Sequence, residues 1–347
     1  MPASDLPTKL DSTACIEPPS KIEGTLNNSF AEIDWQAPWL LHITQRHYLS
    51  TTIERLSRPS QQMNSSNESD SLDEQHVNAS DISTPDTIAN VLKTAMKQQA
   101  NHLEQPLPQT KPAHDYESQT LQFVSQNALP DGEAYEHFIG TTGNIPTRDN
   151  LHDLFNGSIW LSFPKTKALL NHHHMRHMAA STDTTETERG RVRDTITVFD
   201  ENGAILVTCR PEIGQALKDF DWQASLVAPR ALWDDVSAPR IDASAAVYIF
   251  GHALLEQLIA PRKPLCAHSV VLEVAPDFFA LSTRARMRVL DDKLASYMDS
   301  LLSDPAVTPR VLSPLPILGV PYFWAENRDS AFYDDRFVFR SGRRQKK

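Results

Sequence analysis

Apolar positions in this chain recur with a helical period in some stretches and bunch into strand-length runs in others. In NLHDLFNGSIW, residues 150–160, the positions Leu151, Leu154, Phe155 and Ile159 make one stripe of a helix. That helix is expected to enter from Pro146–Thr147 and to end before Pro164. KTKALLNHHHMRHMAAS and RARMRVLDDKLASYMDSLL predict further helices, and GEAYEHFIG a short one. PEIGQALKDF and WQASLVAPRALW also read as helical. SAAVYIF is a buried strand that runs into GHALLEQLI, a short helix stopped by Pro261. TLQFVSQN and CAHSVVLEVAP are two more strands. RDTITVFDENGAILVTCR carries the marks of a β-hairpin: residues 195–199 are β-prone, Asn202–Gly203 is a turn dipeptide, and Ala204 to Thr208 is apolar and β-branched. The prolines of the C-terminal stretch predict an extended path that wraps the domain. Strands and helices mix without strict βαβ alternation. The expected class is therefore α+β, with a small mixed or antiparallel sheet flanked by helices.

The N-terminal third has a different texture. Residues 1–29 read as a disordered leader rich in Pro, Ser and Thr. FAEIDWQAPWLLHITQRHYLSTTIERL follows, with Pro38 suited to a first helical turn and Trp39, Leu40, Ile43, His47 and Leu56 along one side. Residues 60–83 hold five acids and no Lys or Arg among many Ser, Asn and Gln. Such a segment buries too little apolar surface to offset its ordering entropy. A helix is expected again at TPDTIANVLKTAMKQQ, with Thr84 as N-cap and Pro85 in the first turn. The organisation expected is one domain over residues 30–340, interrupted by a low-complexity insert at about 58–117 and followed by a basic tail at 341–347.

Charge and cysteine usage narrow the class. The formal net charge of −11 argues against a general nucleic-acid binder, which needs a basic face for phosphates. Three cysteines, Cys15, Cys209 and Cys266, form neither a C-x-x-C nor a disulfide framework, which suits the cytoplasm. No apolar run approaches the length of a membrane span, and the N-terminus lacks a signal-peptide pattern.

Several polar groups interrupt the apolar pattern where chemistry could sit. In FGHALLEQL, His252 and Glu256 are i and i+4 at the exit of a buried strand. They could bind one metal, or the carboxylate could orient the imidazole, or the two could satisfy each other in a core. Gly251 allows close approach of another backbone or a ligand. His152, Asp153 and Asn156 cluster on a second face of their helix, and an adjacent His–Asp pair can ligate a metal. The competing account is a first-turn carboxylate on the helix dipole beside a surface histidine. Arg193 and Asp194 precede the expected strand, as a salt bridge or a ligand clamp, whereas Asp200 and Glu201 are read as turn residues. NHHHMRH is read as a solvated helix face rather than a metal site. Cys266 and His268 fall on one face of a strand, where a small buried cysteine is the commoner case. Asp334, Asp335, Arg336 and Arg340 could pair or line a cleft. No Walker A, G-x-G-x-x-G, G-x-S-x-G or H-E-x-x-H motif is present.

IPTRDNLHDLFNGSIWLSFPKTK, RGRVRDTITVFDENGAIL, FGHALLEQLIAP, SPLPILGVPYFW and FYDDRFVFR occur in this order. Together they resemble the bacterial domain of unknown function 3025 family over most of residues 30–340. The pattern falls on His152, Asp153, Asn156, Arg193, Asp194, Asp200, Glu201, His252, Glu256, Asp334 and Asp335. The chain departs from it in the insert, in HHHMRH and near Tyr322, where the pattern has a glycine. The resemblance implies no activity. From the residues, the leading expectation is a cytoplasmic metal-assisted hydrolase acting on a small-molecule ligand. His152, Asp153, His252 and Glu256 would converge on a divalent metal, with Arg193 clamping an anionic group and Asn156, Asp194, Asp334 and Asp335 assisting binding. The alternative is a non-catalytic binding or structural protein in which the same residues form a buried polar network.

Overall fold

Two apolar runs that are buried on every residue pair as one edge strand and its neighbour in a four-stranded sheet. The computed structural model describes residues 33–47, 87–101, 121–179 and 186–342. In chain order its main elements are α1 (Leu41–His47), α2 (Ile88–Asn101), β1 (Gln122–Ser125), α3 (Tyr135–Thr142), β2 (Asn144–Thr147), α4 (Leu151–Ser162), α5 (Pro164–Ala179), α6 (Glu186–Asn202), β3 (Gly203–Thr208), α7 (Pro211–Lys218), β4 (Ala245–Ile249), α8 (His252–Gln257), β5 (Cys266–Glu273), α9 (Thr283–Leu302) and β6 (Ser313–Pro316). The large sheet has the order β4-β3-β5-β6 and is mixed: β3 runs antiparallel to β4 and parallel to β5, and β5 runs antiparallel to β6. β1 and β2 form a separate parallel pair. Helices flank both sheets, so the class is α+β. Of the 58–117 interval, residues 87–101 are described, and Ile88–Asn101 form α2. The leader, residues 60–83, Leu56, the proposed Thr84 cap and Pro85 lie outside the described residues. So do residues 343–347 of the basic tail.

Local chemistry accounts for the helix boundaries. Asn150 caps α4 through its side chain, which accepts from the Asp153 amide at 2.8 Å. Pro146 and Thr147, expected to lead into that helix, instead lie in β2. Ser282 caps α9, whose Met287, Leu290, Leu294, Met298 and Leu302 form one buried stripe. Helix α5 is capped from a distance: the Asp291 carboxylate on α9 accepts from the Lys165 and Thr166 amides at 3.0 and 2.9 Å. The Ile88 amide at the start of α2 is likewise taken by Asp149.

The expected hairpin over residues 193–210 is not formed. Its first arm is the end of helix α6, and only Gly203–Thr208 is a strand, paired with β4 and β5. Val192, Thr195, Ile196 and Phe199 are all buried along one side of α6. Burial of that stripe outweighs the few tenths of a kcal/mol by which β-branched residues disfavour a helix. Asn202–Gly203 therefore joins a helix to a strand rather than turning a hairpin. WQASLVAPRALW is a π turn and a 3-10 turn, not one helix. The C-terminal stretch is extended only at β6 and otherwise proceeds by 3-10 turns. Among the described residues no helix is long and apolar enough to cross a membrane.

Candidate functional site

The antiparallel β3–β4 pair places two distant segments side by side. Ala204 faces Ile249, so Glu201, three residues before Ala204, and His252, three residues after Ile249, lie beyond the same end of the sheet. Gly251 lets the two connections touch. A Cβ there would lie 2.5 Å from both the Glu201 carbonyl oxygen and the Gly203 nitrogen, and the Gly251 amide donates to the Gly203 carbonyl at 2.8 Å. Helix α4 packs against α8 and supplies His152 from its first turn.

Side chains from these three helices meet. His152 Nε2 and His252 Nε2 are 3.0 Å apart, with the rings nearly perpendicular. Glu201 Oε2 lies 3.4 Å from His252 Nε2. One ligand atom from each of His152, Glu201 and His252 falls within 4.8 Å of the other two, a grouping able to hold a metal ion. Each imidazole has a carboxylate behind it. Glu256 Oε2 accepts from His152 Nδ1 at 3.0 Å, and Asp200 Oδ2 lies 3.8 Å from His252 Nδ1. His252 is buried, and its Nδ1 has no hydrogen-bond partner among the described residues. His152, Glu201 and Glu256 keep about a third or more of their side chains exposed, so the cluster faces solvent on one side.

A second polar layer supports the first. Lys167 of α5 is buried and donates to Asp200 at 2.6 and 2.9 Å and to Asn156 Oδ1 at 2.9 Å. Asn156 Nδ2 donates to the Tyr135 hydroxyl at 3.1 Å. The local field follows. The hydrogen bond to Glu256 raises the His152 pKa against the effect of burial. Burial pushes His252 down to about 4, so it is neutral at neutral pH. Burial raises Glu201. Asp200 is pushed up by burial, but the charge of Lys167, with His252 and then a hydrogen bond from Lys167, outweighs this and holds it below the ordinary carboxylate range. Burial and nearby carboxylates raise Tyr135.

The candidates named from sequence do not all gather here. His152, His252 and Glu256 come together, and Asn156 stands one layer behind. Asp153 turns away and binds the Arg148 guanidinium and backbone amide, at 2.8 Å and 2.6 Å. Arg193 and Asp194 are exposed on α6 and do not precede a strand. Asp335 pairs with Lys263 at 3.2 Å, while Asp334, Arg336 and Arg340 line a separate surface groove beside Trp222 and Phe339. In the histidine run, expected to be solvated, His173 is buried against Asp299 at 2.9 Å and His174 turns toward Glu136. Cys266 is exposed rather than buried. Asp200, Glu201 and Lys167 were not anticipated as site residues. The first two looked like a turn, and Lys167 stood in a helix that reads as polar.

The model of the family described as Protein of unknown function (DUF3025) matches residues 121–343, the interval that holds all of these side chains. No curated protein and no solved structure matches the chain.

Proposed function

This chain belongs to the DUF3025 family, and from its own residues we propose that it is a metal-assisted hydrolase whose divalent ion is held by His152, His252 and Glu201. One observation carries this: two imidazoles face each other through Nε2 while each keeps a carboxylate behind its Nδ1. Ligands about 2.0–2.2 Å from one ion lie roughly 3.0–3.5 Å from one another; the two separations from His252 Nε2 are 3.0 and 3.4 Å, and His152 and Glu201 lie within 4.8 Å of each other. Tautomers point the same way. Without an ion one Nε2 must donate to the other. Between two neutral rings, whichever Nε2 donates turns its own Nδ1 lone pair toward a carboxylate, and a protonated His152 donating from both nitrogens is the metal-free alternative. With both Nε2 lone pairs on an ion, both Nδ1–H groups face carboxylates, the usual support of a metal-bound histidine.

In this reading Glu256 and Asp200 orient the imidazoles, and Lys167 and Asn156 hold Asp200. Asp153 serves the helix start through Arg148 rather than the ion. A bound divalent ion would polarise a carbonyl and ease deprotonation of water. The solvent-facing side at Glu201 and Glu256 leaves room for a small-molecule substrate, and the acidic chain suits neither nucleic acid nor an anionic surface. The reducing cytoplasm fits its cysteine usage.

Elemental analysis of the purified chain beside His152→Ala, His252→Ala and Glu201→Gln tests the assignment. The expected result is one transition-metal ion per chain in the parent and none in the folded variants, with a chelator lowering Tm of the parent alone. A chain that carries no ion, takes up none on addition and melts unchanged with chelator would sink it. The hydrolase step is tested by release of product from ester and amide substrates, lost in the same variants.

A further inference from the structure

Arg148 stands just before α4, whose first turn supplies His152. Its guanidinium is held from one side. Nε and Nη2 donate to the two oxygens of Asp153 at 3.1 and 2.8 Å, and the Arg148 amide donates to the same carboxylate at 2.6 Å. The Asp153 side chain is 8% exposed and that of Arg148 57% exposed. A guanidinium carries five N–H groups in a rigid fork. Asp153 takes two of them. Both N–H groups of Nη1 and the second of Nη2 have no acceptor among the described residues, and they form the other edge of the fork.

His152 and Glu256 are close by and equally open. Glu256 Oε2 accepts from His152 Nδ1 at 3.0 Å, and both side chains are about a third or more exposed. The hydrogen bond to Asp153 is the first cause that raises the Arg148 pKa, and the Glu256 carboxylate is among the lesser ones. The nearer alternatives cannot serve a substrate. Lys167 is buried, and its three N–H groups are taken by Asp200 and Asn156. Arg193, exposed on α6, has no such anchor among the described residues.

Two parallel N–H groups on one edge of an arginine fork match two oxygens of a carboxylate or a phosphate, whereas a lone carbonyl oxygen leaves one of them unused. With its other edge fixed by Asp153, the fork loses little freedom on binding. Charge allows such a guest. A divalent ion would offset Glu201 and Glu256, as Lys167 offsets Asp200 and Arg148 offsets Asp153.

We infer that Arg148 is the clamp for an oxyanion group of the substrate, a carboxylate or a phosphate, which it binds through its Nη1–Nη2 edge beside the metal ion. The inference rests on the metal-hydrolase reading of the adjoining site and makes the substrate an acidic small molecule.

The Arg148 Nε–H, held to Asp153, supplies a side-chain resonance in the full 15N-labelled chain, assigned by its absence in Arg148→Lys. The chain is titrated with acetate, inorganic phosphate and acetamide, with and without one equivalent of zinc. With zinc, acetate or phosphate is expected to shift this resonance saturably, and acetamide to leave it in place. Acetate acting at the lower concentration marks a carboxylate substrate, and phosphate a phosphorylated one. Backbone amides of residues 148–153 read the same titration in the variants. Arg148→Lys keeps a charge for Asp153 but loses the fork, and should weaken the midpoint about 10-fold, the effect of losing one charge-assisted hydrogen bond. Should that variant not fold, Arg148→Gln combined with Asp153→Asn removes both charges without stranding a carboxylate and should weaken the midpoint at least as much. Equal midpoints in parent and variants would overturn the inference, as would an unmoved Arg148 resonance or acetamide acting as strongly as acetate. Metal content measured on the same samples separates the two claims. An Arg148-dependent response in a chain that takes up no zinc upholds the clamp and removes the hydrolase reading. A stoichiometric ion with anion midpoints indifferent to Arg148 removes the clamp alone.

Discussion

Two groups of histidines in this molecule look alike in composition and differ in what surrounds them. His172, His173, His174 and His177 crowd one helix, α5, yet the rings that point inward diverge. His173 goes to Asp299 on α9 and His174 toward Glu136 on α3. His152 and His252 are a hundred residues apart and meet at 3.0 Å. Here neighbours on one helix reach for partners on different elements, whereas side chains from separate helices converge on one point. Convergence, not density, makes a metal centre. On α5 the histidine ties one helix to another. Beyond the end of the sheet, two histidines and Glu201 bring their side-chain tips within 4.8 Å of one another, with a carboxylate behind each histidine.

The largest expected effect breaks this contrast directly. With metal at about a thousand times its Kd, binding stabilises the parent by about 4 kcal/mol. His152→Ala should lose that increment entirely and hold no ion. His173→Ala should keep its ion and lose about 2 kcal/mol of intrinsic stability, because Asp299 is deprived of its buried partner. Metal analysis and melting with and without chelator distinguish the two. A His173→Ala chain that loses its ion would mean the α5 histidines belong to the site after all.

Backbone contact comes next. Gly251→Ala puts a methyl group 2.5 Å from two backbone atoms at the α6–β3 junction, and neither can yield without moving Glu201 away from His252. A loss of about 1–3 kcal/mol is expected from overpacking, together with weaker metal uptake. Gly190, inside α6, would place its Cβ in open space. Gly190→Ala should therefore stabilise by about 0.5–1 kcal/mol and leave uptake alone. Equal melting shifts of the same sign in both variants would contradict the close approach.

Glu256→Gln probes the carboxylate behind His152. Outer-shell partners of this kind typically change metal affinity about 10- to 100-fold, and a competition titration reads that range. No change would make Glu256 a bystander and leave His152 oriented by packing alone.

Part of this was legible in the sequence. The helical stripes of α4 and α9 state their buried faces, and the apolar run before Gly251 announces a strand feeding a helix. His252 and Glu256 stand out by their spacing, and His152 by its place on a largely apolar helix. Asp200 and Glu201 did not stand out, because TITVF followed by Asn-Gly imitates a hairpin. Local β propensity there is outweighed by a buried stripe at helical spacing, and only the long-range pairing of Ala204 with Ile249 brings Glu201 to His252. Lys167 was hidden for a related reason. Nothing near it in sequence shows that Asn156 of α4 and Asp200 of α6 will close around it. Asp153 was misplaced by adjacency to His152, since consecutive residues on a helix point about 100° apart. What the sequence pattern carries is the face of each element, and what it lacks is which faces meet.

The smallest effect separates the two regions by pH. Asp291 caps α5 from α9 and is almost fully buried, and burial pushes its carboxyl up to about 6 despite hydrogen bonds from Lys165 and Thr166. An unfolded chain would titrate it near about 4. The folded state therefore holds this proton more tightly, so the stability it contributes is present below about 4 and is lost as pH rises through about 6. Lowering pH from 7 to 5 should raise the stability of the parent relative to Asp291→Asn by about 1 kcal/mol, read from the difference between their melting curves. Parallel curves across that window would remove the argument. The proposed metal site would run the other way, because protons compete with an ion for imidazole nitrogen. Acid should then strengthen the α5–α9 brace in the same interval in which it loosens the three-helix centre, so one pH series on metal-loaded and chelated protein reports on both regions with opposite signs.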